Sequence, residues 1–127
     1  MLRASGHGLD GSRVPGRWHR YPELAAAGLW TTPTDLARLA LEVGASFRGA
    51  SSRVLSPATT RAMLEQQITR TQGIGWRVAG TGGSARFEHA GDTEGYSCAV
   101  IGYPERGQGA VVMTNGSGGG FRASRVP

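Results

Sequence analysis

Tyr96-Ser97-Cys98-Ala99-Val100-Ile101-Gly102-Tyr103-Pro104-Glu105-Arg106-Gly107-Gln108-Gly109-Ala110-Val111-Val112-Met113-Thr114 is the stretch that decides the fold. Tyr96 to Tyr103 and Gly109 to Thr114 are uncharged and apolar in character. Between them, Pro104-Glu105-Arg106-Gly107 has the composition of a hairpin connection. The pattern predicts two antiparallel strands. Upstream, Ile74, Trp76 and Val78 alternate with Gly75, Arg77 and Ala79, and this period of two predicts a strand from Gly73. Thr81-Gly82-Gly83-Ser84 predicts a turn. Arg86 to His89 predicts a short strand with Phe87 and His89 on one face. Residues 73–115 therefore read as an antiparallel meander of about four strands.

Before residue 73 the period changes. Thr32-Pro33-Thr34-Asp35 is a helix start: Thr32 caps, Pro33 suits the first helical position and Asp35 reaches back to the cap. Leu36, Leu39, Ala40 and Val43 follow on one helical face, and Gly44 is the expected stop. A second helix starts at Ser56-Pro57 and runs to about Gln67, with Ala58, Ala62 and Met63 as its apolar face. Residues 1–20 read as loop, 21–67 as a helical segment and 116–127 as an irregular tail. Helices followed by a meander give an α+β class.

Composition removes several mechanisms. All fourteen basic residues are arginine, and lysine is absent. A P-loop, a kinase site, an S-x-x-K nucleophile and a Schiff-base amine each need a lysine. The net charge is +5, yet no three arginines are consecutive, so no basic tract for nucleic acid is expected. One cysteine and three histidines do not furnish a structural zinc site, and neither a metal nor a cofactor is expected. No apolar run is long enough to span a membrane. Met1 to Gly11 lacks the apolar core of a signal peptide. Gly6-His7-Gly8-Leu9-Asp10-Gly11 matches G-x-G-x-x-G, but the strand before it and the helix after it are missing, so it is read as loop.

No G-x-S-x-G is present. Cys98 lies in an apolar strand and reads as a small core residue rather than a nucleophile. Asp92 and Glu94 stand two apart in an expected turn, where carboxylates are ordinarily solvated. His89 is the more informative residue. It closes a predicted strand and is followed by Ala90, Gly91 and Asp92. Small residues there let a substrate approach the backbone, and imidazole changes charge near neutral pH, so it can bind or donate to an anion.

Leu29-Trp30-Thr31-Thr32-Pro33-Thr34-Asp35-Leu36-Ala37-Arg38, within the longer block from Tyr21, resembles a segment of the serine beta-lactamase-related family. That family groups class C beta-lactamases, DD-peptidases and related esterases. Phe87-Glu88-His89-Ala90-Gly91-Asp92-Thr93-Glu94-Gly95-Tyr96 resembles its H-x-G segment. Val111-Val112-Met113-Thr114-Asn115-Gly116 resembles the strand ending that follows. The resemblance implies a partial beta-lactamase/transpeptidase-like fold over residues 1–127, corresponding to the C-terminal third of such an enzyme. It implies acyl-serine hydrolysis of a beta-lactam, peptide or ester by the parent. His89 takes the first place of the third motif and contacts the substrate carboxylate or the tyrosine. Ala90, Gly91 and Asp92 border the substrate, and the Asp92 N–H is half of an oxyanion hole. Such a donor is worth about 3 kcal/mol in the transition state.

The family's S-x-x-K and Y-x-N are not in this sequence, and both lie upstream of the matching segment in relatives. The chain alone is therefore expected to be inactive, with His89 the remaining catalytic-motif residue and no nucleophile. The alternative is a non-catalytic binding module that keeps the sheet edge around His89. The implied partner is the parent's small-molecule substrate, not nucleic acid. A cut sheet also implies self-association through exposed edges, with Ile74, Trp76, Val100 and Ile101 uncovered. The compartment is left open; the parent is of a kind that is secreted or periplasmic.

Overall fold

Thr32 starts the longest helix as expected. The Asp35 amide donates to Thr32 Oγ1 at 3.1 Å, and the Thr32 hydroxyl donates to the Asp35 carboxylate at 2.9 Å. The computed structural model describes residues 3–119. It contains α1 (Leu24–Ala27), α2 (Pro33–Phe47), α3 (Pro57–Leu64), β1 (Arg77–Ala79), β2 (Arg86–Thr93), β3 (Tyr96–Tyr103) and β4 (Gln108–Thr114). A single 3-10 turn at Gly82–Ser84 joins β1 to β2. The strands form one antiparallel sheet in the order β1-β2-β3-β4. The α+β expectation holds, with three helices rather than two.

Gly44 does not stop α2. It is buried in the last turn, beneath Pro104. The stop is Gly49, at φ +81°. The Gly49 amide donates to the Ser46 carbonyl and the Ala50 amide to the Ala45 carbonyl. This pair of bonds satisfies the last carbonyls and needs a left-handed residue between them. Helix α3 is capped by Ser56, whose Oγ accepts from the Thr59 amide at 3.1 Å. It ends at Leu64, not Gln67. Its inner face is Thr60, Met63 and Leu64, while Ala58 and Ala62 are exposed.

Cross-strand register sorts the sheet's side chains. Val78 stands opposite Phe87, and Phe87 opposite Gly102; His89 stands opposite Val100, and Val100 opposite Val111. This face packs on α2 and α3. Ala40, Val43, Val78, Phe87 and Val100 are the buried cluster, with Leu36, Met63, Leu64, Trp76 and Val111 against it. Val100 and Ile101 are thus corrected from exposed to buried, at 6% and 4% exposure. Val100 lies under the helices, and Ile101 sits on the other face between Glu88 and Ala110.

The expected strand from Gly73 is corrected to three residues, Arg77–Ala79. Gly75 takes a φ of +74°, which breaks the alternation. The Gly73 amide turns back to the Trp76 carbonyl, and the Ile74 amide is taken by Met63 of α3. Ile74 is left exposed and Trp76 half-buried.

One polar contact ties α2 to α3 inside the core. Ser46 and Thr60 are 1% and 0% exposed, and their hydroxyls lie 2.9 Å apart. The Ser46 hydroxyl donates to the Leu55 carbonyl at 2.8 Å, so Thr60 donates to Ser46. Ser46→Ala leaves a buried donor and a carbonyl without their partner. The expected loss is about 1–3 kcal/mol, measured as a lower urea midpoint. A loss below ~0.5 kcal/mol would show that water replaces the hydroxyl.

Candidate functional site

His89 lies in the middle of an eight-residue strand, not at the end of a short one. This corrects the sequence expectation, and it moves Asp92 from a turn into β2. The cause is pairing. Ala90, Gly91 and Asp92 have weak strand propensity, but each stands opposite a residue of β3, from Ala99 to Ser97. Only Glu94 and Gly95 form the turn.

That two-residue turn sets which backbone groups of β2 are free. In an antiparallel pair, residues alternate between bonded and non-bonded partners. Thr93 and Tyr96 close the hairpin as a bonded pair, so Gly91 and His89 also bond to β3. Asp92, Ala90 and Glu88 then turn their N–H and C=O groups to the other side. Glu88 meets Arg77 of β1 there. Beyond it β1 has ended, and no described strand lies beside Ala90 or Asp92. The Asp92 N–H required by the resemblance therefore faces an open edge.

The side chains divide across the sheet. His89, Gly91 and Thr93 are on the helix-packed face, and Ala90 and Asp92 are on the other. The structure thus does not join the His89 and Asp92 side chains; they share the strand edge. His89 is exposed, and its ring meets the edge of Trp76 at 6.4 Å and 90°. None of the hydrogen bonds among the described residues uses its imidazole. A Cβ at Gly91 would meet only Cys98 Sγ, at 3.9 Å. No neighbour among the described residues requires glycine there.

At the turn end, β2 borders an open cleft of about 600 Å³. Tyr21, Asp92, Thr93, Glu94 and Ser117 line it, with Leu9 at the rim. The Glu94 amide donates to the Tyr21 hydroxyl oxygen at 3.0 Å, which leaves the phenolic proton free for a ligand. The Glu94 carboxylate pairs with His19 Nε2 at 3.2 Å. His7, the remaining histidine, is held by the Asn115 carbonyl. Among the described residues no three histidine, cysteine or acidic side chains gather as metal ligands, and no helix is long and apolar enough to cross a membrane.

The walls of this cleft were not read from the sequence. Tyr21 and Glu94 are separated by 73 residues, and no spacing rule connects them. The same is true of an aromatic stack below the turn. Trp30 meets Trp18 at 5.5 Å and Tyr96 at 5.6 Å, both edge-on. Arg3 lies over Trp30 at 4.9 Å, within cation–π range. The Tyr96 hydroxyl donates to the Ala4 carbonyl, and burial raises its pKa above the ordinary tyrosine value. This stack holds the start of the described chain against the sheet beside the cleft.

Comparison with curated proteins gives no match, and comparison with solved structures gives none either. A family model described as Beta-lactamase matches residues 2–126, and with nearly the whole sequence inside that match, the chain belongs to the beta-lactamase family.

Proposed function

We propose that the open edge of β2 from His89 to Thr93 is the substrate-binding strand of an acyl-serine hydrolase acting on beta-lactam, peptide or ester carbonyls. Membership of the beta-lactamase family makes the chain a relative of serine hydrolases. The observation that carries the finer reading is the unpaired backbone of Ala90 and Asp92 beside an exposed histidine. A substrate carbonyl laid along this edge meets the Asp92 N–H. As negative charge develops on the carbonyl oxygen, that donor binds it more tightly than it binds the ground state. Gly91 keeps side-chain bulk from the approach. His89, one face over, binds the substrate carboxylate or the proton-transfer group.

Chemistry also needs a nucleophile and its activating amine. With no lysine in 127 residues, S-x-x-K must come from outside this sequence. The chain alone is expected to leave a chromogenic cephalosporin and a p-nitrophenyl ester intact. Turnover that a covalent serine inhibitor abolishes would overturn that expectation. In protein extended to include S-x-x-K and Y-x-N, His89→Ala is expected to lower kcat/KM about 10- to 100-fold, the value of a hydrogen bond to a charged group. An unchanged kcat/KM would remove His89 from the site. The missing lysine also favours a second reading, a binding module. Saturable binding of a carboxylate ligand to the chain alone, lost in His89→Ala, would carry it.

A further inference from the structure

We infer that Trp76 is a positioning residue for His89: its indole, fixed to the core, holds the imidazole along the open edge of β2. The consequence for catalysis rests on the substrate-binding reading of that edge; the geometry does not.

A side chain that must meet a substrate works best when its rotamer is already held by a neighbour that is itself locked by packing. His89 is exposed, and the hydrogen bonds and ion pairs of the described histidines belong to His7 and His19. On its own face of the sheet His89 has few neighbours. Phe87 and Gly91 flank it along β2, and Val100 stands opposite on β3. Gly91 has no side chain, and Val100 is short and buried beneath the helices. That leaves the β1 side. β1 pairs Val78 with Phe87 and Arg77 with Glu88, so the next place in that register, opposite His89, belongs to Trp76. The two rings meet there, 6.4 Å between centroids with planes at 90°. This is a T-shaped pair within the usual aromatic range of roughly 4.5–7 Å.

Trp76 can hold a neighbour because it is held itself. Its indole meets Phe87 at 4.9 Å and 79°, and Phe87 is 1% exposed. Its carbonyl accepts from the Gly73 amide at 2.9 Å and from Gln72 Nε2 at 3.1 Å. The turn that carries it is seated on α3. The Ile74 amide donates to the Met63 carbonyl at 2.8 Å, and a Cβ at Gly73 would come within 2.5 Å of that oxygen. Gly75, at φ +74°, bends the preceding chain away from β2, so Trp76 stands where the open edge begins. A ladder of three rings, Phe87, Trp76 and His89, runs from the core to that edge.

NMR of the 127-residue chain tests the geometry without any turnover. The His89 ring signals are those lost in His89→Gln. The expected result is a nuclear Overhauser contact between the His89 and Trp76 rings, with the His89 signals displaced by the indole ring current. Trp76→Leu, which still packs on Phe87, is expected to return them to the positions of an unstructured histidine. Trp76→Phe is expected to keep most of the displacement. Absence of the contact in the unsubstituted chain overturns the inference, whether or not the variants fold. A folded Trp76→Leu chain with unchanged His89 signals overturns it too.

Kinetics of the protein extended to include S-x-x-K and Y-x-N separates this inference from the catalytic reading. Trp76→Leu is expected to lower kcat/KM about 2- to 12-fold, the worth of an aromatic pair. Trp76→Phe is expected to restore it. Once His89 is replaced by alanine, Trp76→Leu is expected to cost nothing more, because the pair acts as one unit. An unchanged kcat/KM in Trp76→Leu, or an equal loss in the His89→Ala background, overturns Trp76 as a positioning residue. An unchanged kcat/KM in His89→Ala overturns the catalytic reading instead, and the ring contact is then decided by the NMR alone.

Discussion

Phe87→Ala is expected to cost about 3–5 kcal/mol of folding stability, the range for emptying a buried aromatic site. Phe87 is 1% exposed and is the largest fully buried side chain among the described residues. Its ring meets Trp76 edge-on at 4.9 Å and 79°. The space it fills extends to the opposite strand. A Cβ at Gly102 would come within 2.3 Å of the ring, so glycine there is what admits the phenylalanine. The surroundings are strand backbone and the α2 face, which collapse poorly into a void. Domains of this size are stable by only about 5–15 kcal/mol. The variant is therefore expected to lose a large share of its stability. Urea denaturation measures it as a lower midpoint with an unchanged slope. A loss under ~1 kcal/mol would mean that the ring does not organise the core.

Gly95→Val is expected to cost about 2–5 kcal/mol, from two separate sources. Gly95 has a φ of +85°, where a residue with a Cβ is disfavoured by roughly 1–2 kcal/mol. The added Cβ also falls 2.7 Å from Gly6 Cα and 2.8 Å from Val14 Cγ2. Gly6 is backbone and Val14 is 3% exposed, so neither moves cheaply. Overpacking of this kind costs about 1–3 kcal/mol. The strain is relieved by releasing residues 3–20 from the hairpin, which also removes Leu9 from the cleft rim. Faster tryptic cleavage at Arg13 and Arg17 is the expected sign, beside a lower denaturation midpoint. Unchanged cleavage with a lower midpoint would place the strain in the hairpin itself. An unchanged midpoint would show that the turn accepts a side chain.

Much of the fold was legible where partners are close in sequence. Thr32 and Asp35, or Ser56 and Thr59, are three residues apart, and a cap is a local bond. Pro104 to Gly107 turn the chain where the composition says they should; the Arg106 and Gly107 amides both reach the Tyr103 carbonyl. Errors fell where tertiary pairing overrules local preference. Ala90-Gly91-Asp92-Thr93 looks like loop, yet β3 holds it as strand. Ile74 looks like strand, yet α3 takes its amide and a left-handed Gly75 follows.

The site divides in the same way. His89, Ala90, Gly91 and Asp92 were identified as a contiguous run, through their resemblance to a motif. Residue order alone established helices before a meander and the absence of any lysine. These are one-dimensional properties: periodicity, caps, turns and composition act over a few residues. Tertiary structure alone decided that His89 sits mid-strand with Asp92 on the opposite face. It also decided that the Asp92 amide points to an unpaired edge, and that Tyr21 and His19 close on Glu94. Composition shows that no lysine is present; the register of β2 on β3 shows which backbone groups of β2 are left unpaired. Register and long-range packing depend on which chain segments meet in space, and local patterning does not encode that meeting.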